Sequence, residues 1–209
     1  MTPVVSALFS IPAVSWTGPE INEFSLLETL PVSIAGVLRQ RNGFIACAGG
    51  FHFRGICNLP DWHSLQDAWT GPRALHRLYP TILSTDLPFA QDCFGDQFLF
   101  RDSQVWQLDA ENGEIRNLSL TLKEFFAAIS TRPVEFLGLQ PLVSFQEQGH
   151  TLAPEQSLLC WPPLATHEAS IGLTVKALPK LAHLSFLSDV AHKMSQAQSG
   201  DSLHFHPPI

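Results

Sequence analysis

The feature that most constrains the fold is a series of three short runs with strand character, separated by tight turns. The runs are residues 97–101, 104–109 and 114–118. Asp102-Ser103 is a two-residue turn, and the loop Ala110–Gly113 has a glycine where a hairpin requires positive φ. This spacing predicts an antiparallel meander, because strands joined by such short turns must lie side by side.

A helix is predicted directly after the meander. Thr121 and Glu124 have the spacing of a capping box, in which each side chain bonds to the other residue's backbone. The following LKEFFAAIS places Leu122, Phe125 and Ile129 on one face, which would dock on the sheet. Antiparallel strands followed by a covering helix are typical of an α+β fold and not of alternating βαβ units.

The residues before the meander predict helices and a hairpin. In ETLPVSIAGVLRQRNGF, Thr29 can cap a helix, Pro31 suits its first turn, and Asn42-Gly43 can end it. The strand-like runs 44–48 and 51–57 flank Gly49-Gly50 and predict a hairpin. The sequence also predicts an extended arm over 1–28, a short helix near 21–27, and short helical segments over 60–80.

The last part of the chain predicts an α/β extension. A helical turn is expected over 134–139, strands over 157–161 and 173–178, and an amphipathic helix over 181–194. Composition does not change at Arg132-Pro133, so we expect residues 1–209 to form a single domain.

Charge and cysteine usage restrict the class of partner. The formal charge is −7, which disfavours nucleic acid or an anionic membrane as a partner and would suit a basic protein. None of the four cysteines forms a C-x-x-C pair, which favours buried thiols in a reducing compartment. The first basic residue is Arg39, so the cationic start of a signal peptide is missing, and we expect a cytoplasmic protein.

Six carboxylates between residues 88 and 119 raise the question of an acid–base or metal site. They are Asp92, Asp96, Asp102, Asp109, Glu111 and Glu114. Tight turns are expected to scatter them at the corners of the sheet, with only Asp92 and Asp96 close together. Asp96 is expected to bond the amides of its own turn, and Asp109 those of the hairpin. A metal-dependent hydrolase using Asp92, Asp96 and a histidine remains an alternative.

Other catalytic patterns are missing from the sequence. Cys47, His52 and Cys57 are spaced five apart, but odd offsets alternate faces in strands, and zinc sites use tighter spacing. There is no G-x-S-x-G elbow, and AGGFHFRG lacks both the P-loop lysine and the dinucleotide-binding register. We therefore expect no catalytic residues, no metal site and no cofactor.

Several segments, taken in order, resemble the SUKH superfamily, which contains bacterial immunity proteins and fungal regulators of cell-wall glucan synthesis. The similar segments are LPVSIAGVLRQRNGF, the glycine-rich hairpin, LPFAQDCFGDQFLF, VWQLDAENGEI and TLKEFF. They cover about residues 25–130, and residues 131–209 would be a C-terminal extension. The resemblance implies an antiparallel or mixed sheet with helices packed on it.

The same resemblance implies a non-enzymatic protein-binding module. The first expectation is an immunity protein that binds and neutralises a cognate bacterial toxin of a basic type, such as a nuclease or deaminase. A regulatory scaffold or sensor of the cell-wall-synthesis type is the alternative. Aromatic and acidic residues suit such an interface, and the candidate surface comprises Asp61, Trp62, Asp92, Asp96 and Glu111. The oligomeric state and the role of the extension are left open.

Overall fold

The strands pair in the order in which they occur in the sequence. The computed structural model describes residues 13–21, 24–163, 172–197 and 205. Within these residues, seven strands form one antiparallel sheet in sequential order. They are β1 (Trp16–Thr17), β2 (Phe44–Ala46), β3 (Phe51–Phe53), β4 (Leu87–Asp92), β5 (Gln97–Arg101), β6 (Gln104–Leu108) and β7 (Ile115–Leu120). The antiparallel meander and the α+β class are therefore confirmed.

Helices separate or follow these strands, and a second sheet completes the chain. The α-helices are α1 (Phe24–Thr29), α2 (Val32–Gln40), α3 (Leu65–Trp69), α4 (Leu75–Leu78), α5 (Leu122–Thr131), α6 (Pro133–Phe136), α7 (Gln140–Glu147) and α8 (Lys180–Gln196). Single 3-10 turns cover Cys47–Gly49 and Asp61–His63. Strands β8 (Gln156–Trp161) and β9 (Thr174–Pro179) pair antiparallel as a two-stranded sheet.

The large sheet is covered on both faces because its central strands alternate two sets of apolar side chains. Phe98 belongs to the larger core, where its ring lies 4.8 Å from that of Phe125 on α5. Leu99 points the other way and packs in a second core with Tyr79 and with Leu187 of α8. Since each buried aromatic side chain contributes on the order of 2 kcal/mol, these two layers hold the sheet between the helices.

Local turn and capping signals are confirmed. Asp102 and Ser103 both have positive φ, as a two-residue hairpin turn requires, and Gly113 has φ 75°. The hydroxyl of Thr121 accepts the Glu124 amide, while the Glu124 carboxylate accepts the Thr121 amide. The capping box therefore starts α5 at the predicted position.

Some predicted boundaries are wrong. No strand was predicted over the segment LPFAQD, which forms the fully buried strand β4. Its Pro88 is accommodated by a change of register between Pro88 and Ala90. Strand β2 is shorter than predicted because Cys47 and Ala48 adopt positive φ, and β3 ends at Phe53 instead of residue 57. Thr29 ends α1 instead of capping α2, and its hydroxyl donates to the Leu26 carbonyl.

The C-terminal strands and helix form where predicted and share the core of the meander. The strand and helix predicted after residue 156 correspond to β8, β9 and α8, whereas α7 was not predicted. The Leu158 amide donates to the Cys93 carbonyl at 2.7 Å. Leu142, Phe145 and Leu158 pack in the same core as Phe51. Residues 1–12 and 22–23 of the predicted N-terminal arm lie outside the described residues.

One negative finding concerns membranes. In the part of the chain that the structure describes, no helix has both the length and the apolar character needed to cross a bilayer.

Candidate functional site

One cavity gathers carboxylates at the end of the sheet where β4, β6 and their turns meet. We call it the acidic cavity. It has a volume of about 580 Å³ and is lined by Asp92, Phe94, Asp96, Gln107, Asp109, Glu111, Asn112, Arg116, Glu135, Phe136, Leu137 and Gly138. Five of these side chains are acidic and one is basic, and Phe94, Phe136 and Leu137 supply apolar wall.

Asp92 builds the turn between β4 and β5. One of its carboxylate oxygens accepts the amides of Phe94 at 2.9 Å and Asp96 at 3.0 Å. The side chain is buried at the end of a buried strand. Burial, with the nearby Asp96 charge, raises the pKa of Asp92 well above its ordinary value. Asp92 therefore bonds the amides of this turn, the role predicted for Asp96.

Asp96 instead connects two neighbouring turns. It accepts the Ala110 amide at 3.0 Å on one oxygen and the Gln107 side-chain amide at 2.8 Å on the other. Gln107 in turn accepts a hydrogen bond of 2.7 Å from Arg116, so a polar chain runs from Arg116 to Asp96. Burial raises the pKa of Asp96 to about 6, although the bond from Ala110 opposes the shift.

Asp109 organises the hairpin between β6 and β7, as predicted. One oxygen accepts the amides of Glu111 at 3.0 Å and Asn112 at 3.2 Å, and the other accepts the Asn112 side chain at 2.9 Å. The carboxylates of Asp92, Asp96 and Asp109 thus all have backbone donors. Amide dipoles favour the ionised form of each group and so oppose the effect of burial. The lining of the cavity contains five carboxyl groups and one cation.

The expectation that the turns scatter the acidic residues is wrong for most of them. Asp92, Asp96, Asp109 and Glu111 share one cavity because Gln97 pairs with Leu108, which makes the adjoining turns neighbours. Asp102 is at the opposite end of β6, as predicted. The described residues that line the cavity include no histidine. Among the described residues, no three His, Cys, Asp or Glu side chains are placed to share a metal ion.

The predicted surface residues fall into two groups. Asp92, Asp96 and Glu111 line the acidic cavity. Asp61 and Trp62 lie on the 3-10 turn outside it, where Asp61 is paired with Arg73 at 2.8 Å and Trp62 is partly exposed. The candidate surface omitted the other nine lining residues, among them Gln107, Asp109, Arg116 and Glu135. The position of Asp109 could have been predicted from the two-residue turn at 102–103. Counting residues outward from this turn along both strands places Asp96 opposite Asp109.

A second polar region, the buried cation cluster, consists of His52, Arg54, His63 and Lys180. It lies near Trp62, whose ring is 5.4 Å from His52 and 4.9 Å from the Lys180 ammonium. Arg54 is buried, and its guanidinium donates to the carbonyls of Pro88 and Ala90. It also donates to the side-chain oxygens of Gln91 and Gln97. Burial lowers the pKa of Arg54 to about 9.

Lys180 has a similar environment at the start of α8. Its ammonium donates to the carbonyls of Pro154 and Gln156, the latter at 2.9 Å. The side chain is buried, and burial lowers the pKa of Lys180 to about 7. The contact with Trp62 links the C-terminal helix to the 3-10 turn by a cation–π interaction.

The two histidines of the cluster have defined tautomers. His63 Nε2 lies 3.1 Å from the Asn42 carbonyl, which can only accept, so this nitrogen carries the proton. His63 Nδ1 then accepts from His52 Nε2 at 2.8 Å, leaving His52 Nδ1 buried without a partner. Burial lowers the pKa of His63 to about 4 and that of His52 well below its ordinary value. Both rings are therefore neutral at pH 7.

Glycine backbones enclose the His63 ring. A Cβ atom added at Gly18, Gly43 or Gly55 would overlap the imidazole. Trp16 of β1 covers the ring edge-on, with centroids 4.7 Å apart. The close approach of β1 to β2 therefore depends on residues without side chains at these positions.

Comparison with protein families and with curated proteins finds no match.

Proposed function

We propose that this chain is a non-enzymatic binding protein whose acidic cavity receives basic side chains of a partner protein. In its most specific form the proposal is an immunity protein, cytoplasmic and bacterial, that neutralises a cognate toxin. The observation that supports it is the surplus of carboxylates around one cavity with partly apolar walls. An arginine or lysine side chain is amphipathic, so its stem suits Phe136 and Leu137 while its charge suits Glu111 and Glu135.

The bonding of the buried carboxylates supports a binding role over a catalytic one. General acid–base chemistry requires a carboxyl group that can approach a reacting atom. One oxygen of Asp92 is occupied by two turn amides, and Asp96 is held on both oxygens by Ala110 and Gln107. These residues shape the cavity, which Glu111 and Glu135 also line. Glu135 is exposed and pairs with Arg132 at 3.0 Å, and a cation of a partner protein can replace this exposed contact.

The charge of the whole chain supports the same type of partner. A net charge of −7 attracts a basic protein at long range and raises the association rate at low ionic strength. A basic nuclease or deaminase, which carries positive charge to bind nucleic acid, has the complementary field. The SUKH resemblance of residues 25–130 points to the same class of partner.

The experiment compares two double variants in binding to the toxin-like protein encoded beside this gene. Glu111→Gln/Glu135→Gln removes two charges from the cavity, and Glu28→Gln/Glu147→Gln removes two from exposed positions outside it. We expect the first variant to bind about tenfold more weakly at low salt and the second within about twofold of the wild type. Surface plasmon resonance measures both, and rescue of cells expressing the neighbouring protein provides the functional readout.

Two results would contradict the proposal. Absence of both binding and rescue by the wild-type protein would remove the immunity function. Equal weakening by the two double variants would show that net charge alone acts, and that the acidic cavity is not the binding site.

A further inference from the structure

A second cavity has the opposite charge and lies between β1 and the C-terminal end of α2. We call it the arginine cavity. Its volume is about 520 Å³, and its lining residues are Thr17, Pro19, Glu20, Ile21, Phe24, Leu38, Arg39, Gln40, Arg41 and Asn42. None of these residues lines the acidic cavity. The binding function proposed above makes no use of this region.

The two guanidinium groups of the arginine cavity have no ion-pair partner. Among the described residues, neither Arg39 nor Arg41 has a carboxylate oxygen within 4.0 Å, and Glu20 at the same rim is beyond that distance. Among the arginines that the structure describes, three others are ion-paired: Arg73 with Asp61, Arg101 with Asp86 and Arg132 with Glu135. The arginine cavity therefore has two guanidinium groups that no carboxylate of the described residues pairs with, although Glu20 also lines it.

Apolar side chains lie beside the charges. Phe24 is 61% exposed, an unusual state for a large aromatic residue, and Ile21 is partly buried next to it. Leu38 is buried beneath them. An aromatic side chain of this kind offers a large contact area to a partner, since such residues dominate the binding energy of protein interfaces.

The wall of the cavity is held in place before any ligand arrives. The Asn42 side chain donates to the Pro19 carbonyl at 2.8 Å and to the Ile56 carbonyl at 2.8 Å. The Gly18 amide donates to the Gly43 carbonyl at 3.1 Å. The Arg41 guanidinium lies over the Phe44 ring at 5.9 Å, which restricts its position. A fixed wall reduces the entropy lost on binding.

We propose that the arginine cavity binds an acidic peptide segment of a partner protein. One apolar side chain of the segment packs against Phe24 and Ile21, and flanking carboxylates bond to Arg39 and Arg41. Guanidinium groups suit carboxylates because their planar donors can make paired hydrogen bonds. A long polyanion such as nucleic acid is disfavoured, because it would extend over the remaining surface of a chain with net charge −7.

The test uses fluorescence anisotropy with a short synthetic peptide in which a single Phe is flanked by Glu residues. The same peptide with Gln for Glu, and one with Ala for Phe, separate the charge from the apolar anchor. The protein variants are Arg39→Glu/Arg41→Glu and the milder Arg39→Gln/Arg41→Gln. Arg77→Glu/Lys123→Glu is the matched control, because both of its residues are exposed and lie outside both cavities.

We expect saturable binding of the Glu–Phe peptide to the wild type, weakened about tenfold or more by either substitution of the arginine pair. The control variant should remain within about twofold of the wild type, and both altered peptides should bind more weakly. Unchanged unfolding midpoints in all variants would show that the losses are local.

Three outcomes would overturn the inference. They are the absence of saturable binding to the wild type, equal loss in the arginine pair and in the control variant, and self-association of the protein that only the arginine-pair variants abolish. The last outcome, measured by sedimentation, would identify a second copy of this chain as the occupant. None of these results bears on the acidic cavity, so this inference and the proposed function can fail separately.

Discussion

The acidic cavity and the buried cation cluster both contain ionisable side chains that are shielded from bulk water. In the acidic cavity these side chains bond to backbone N–H groups, and in the buried cation cluster they bond to backbone carbonyl groups. Asp92, Asp96 and Asp109 accept from backbone amides. Arg54 and Lys180 donate to backbone carbonyls. In neither region does the buried charge depend on a direct ion pair, because main-chain dipoles fixed by the sheet and its turns replace the lost water.

The two regions differ in what surrounds them. The acidic cavity is open and has carboxylates at its rim, so it can accept a cation from another molecule. In the buried cation cluster, the side chains of Arg54 and Lys180 already donate hydrogen bonds to acceptors within the chain. The comparison indicates that hydrogen bonds between buried ionisable side chains and the backbone can support binding in one region and structural stability in the other.

The largest effect is expected from removing the Arg54 guanidinium. Arg54→Met leaves the Gln91 and Gln97 oxygens and two carbonyls without donors in a buried place. We expect the free energy of unfolding to fall by about 3 kcal/mol, the cost of unpaired buried acceptors. Urea denaturation measures the change, and Arg77→Met at an exposed position is the control. Equal losses in the two variants would show that the Arg54 bonds stabilise little.

An intermediate effect is expected from pH, with opposite signs in the two regions. The pKa of His63 falls from 6.5 to about 4 on folding, so the unfolded chain binds more protons between these values. Stability from His63 is therefore present above pH 6.5 and is lost as the pH falls towards 4. The pKa of Asp96 rises from 3.8 to about 6, so its contribution is present below pH 3.8 and is lost as the pH rises through 6.

The variants His63→Gln and Asp96→Asn separate these contributions. Relative to the wild type, His63→Gln should become less stable as the pH rises from 4 to 6.5, and Asp96→Asn more stable, each by about 2 kcal/mol. Urea denaturation at a series of pH values measures both differences. Parallel changes in the two variants would mean that the two regions do not titrate in opposite directions.

The smallest effect is expected for an ion pair at the surface, where water can solvate the charged groups. Arg73 pairs with Asp61 and Asp67, but its side chain is 46% exposed. Arg73→Ala should change the free energy of unfolding by less than about 1 kcal/mol, and high salt should remove the difference. A loss approaching that of Arg54→Met would contradict the view that burial decides how much these bonds contribute.

Features set by neighbours in the sequence could be predicted. The α5 capping box, the 102–103 turn and the Asp109 hairpin each depend on residues within a few positions, so local chemistry fixes them. Strand β4 could not be recognised in the same way. It is buried throughout and contains Pro88, and it lacks the alternation that identifies half-buried strands.

The candidate site depends on contacts between distant residues, and only part of it follows from the sequence. Counting from the 102–103 turn pairs Gln97 with Leu108 and so brings Asp96 towards Asp109. Glu135 joins the cavity from beyond α5, and Lys180 reaches Trp62 from the start of α8. These approaches are set by tertiary packing, for which the sequence has no local signal.

The enclosure of His63 has a consequence for experiments in solution. The proton on its Nε2 atom is bonded to the Asn42 carbonyl and covered by Gly18 and Trp16, so it should exchange with water only when strand β1 separates. Such a proton would give a slowly exchanging imidazole signal in nuclear magnetic resonance spectra. The ring is thus an intrinsic probe of whether the N-terminal strand stays docked when another molecule occupies the neighbouring arginine cavity.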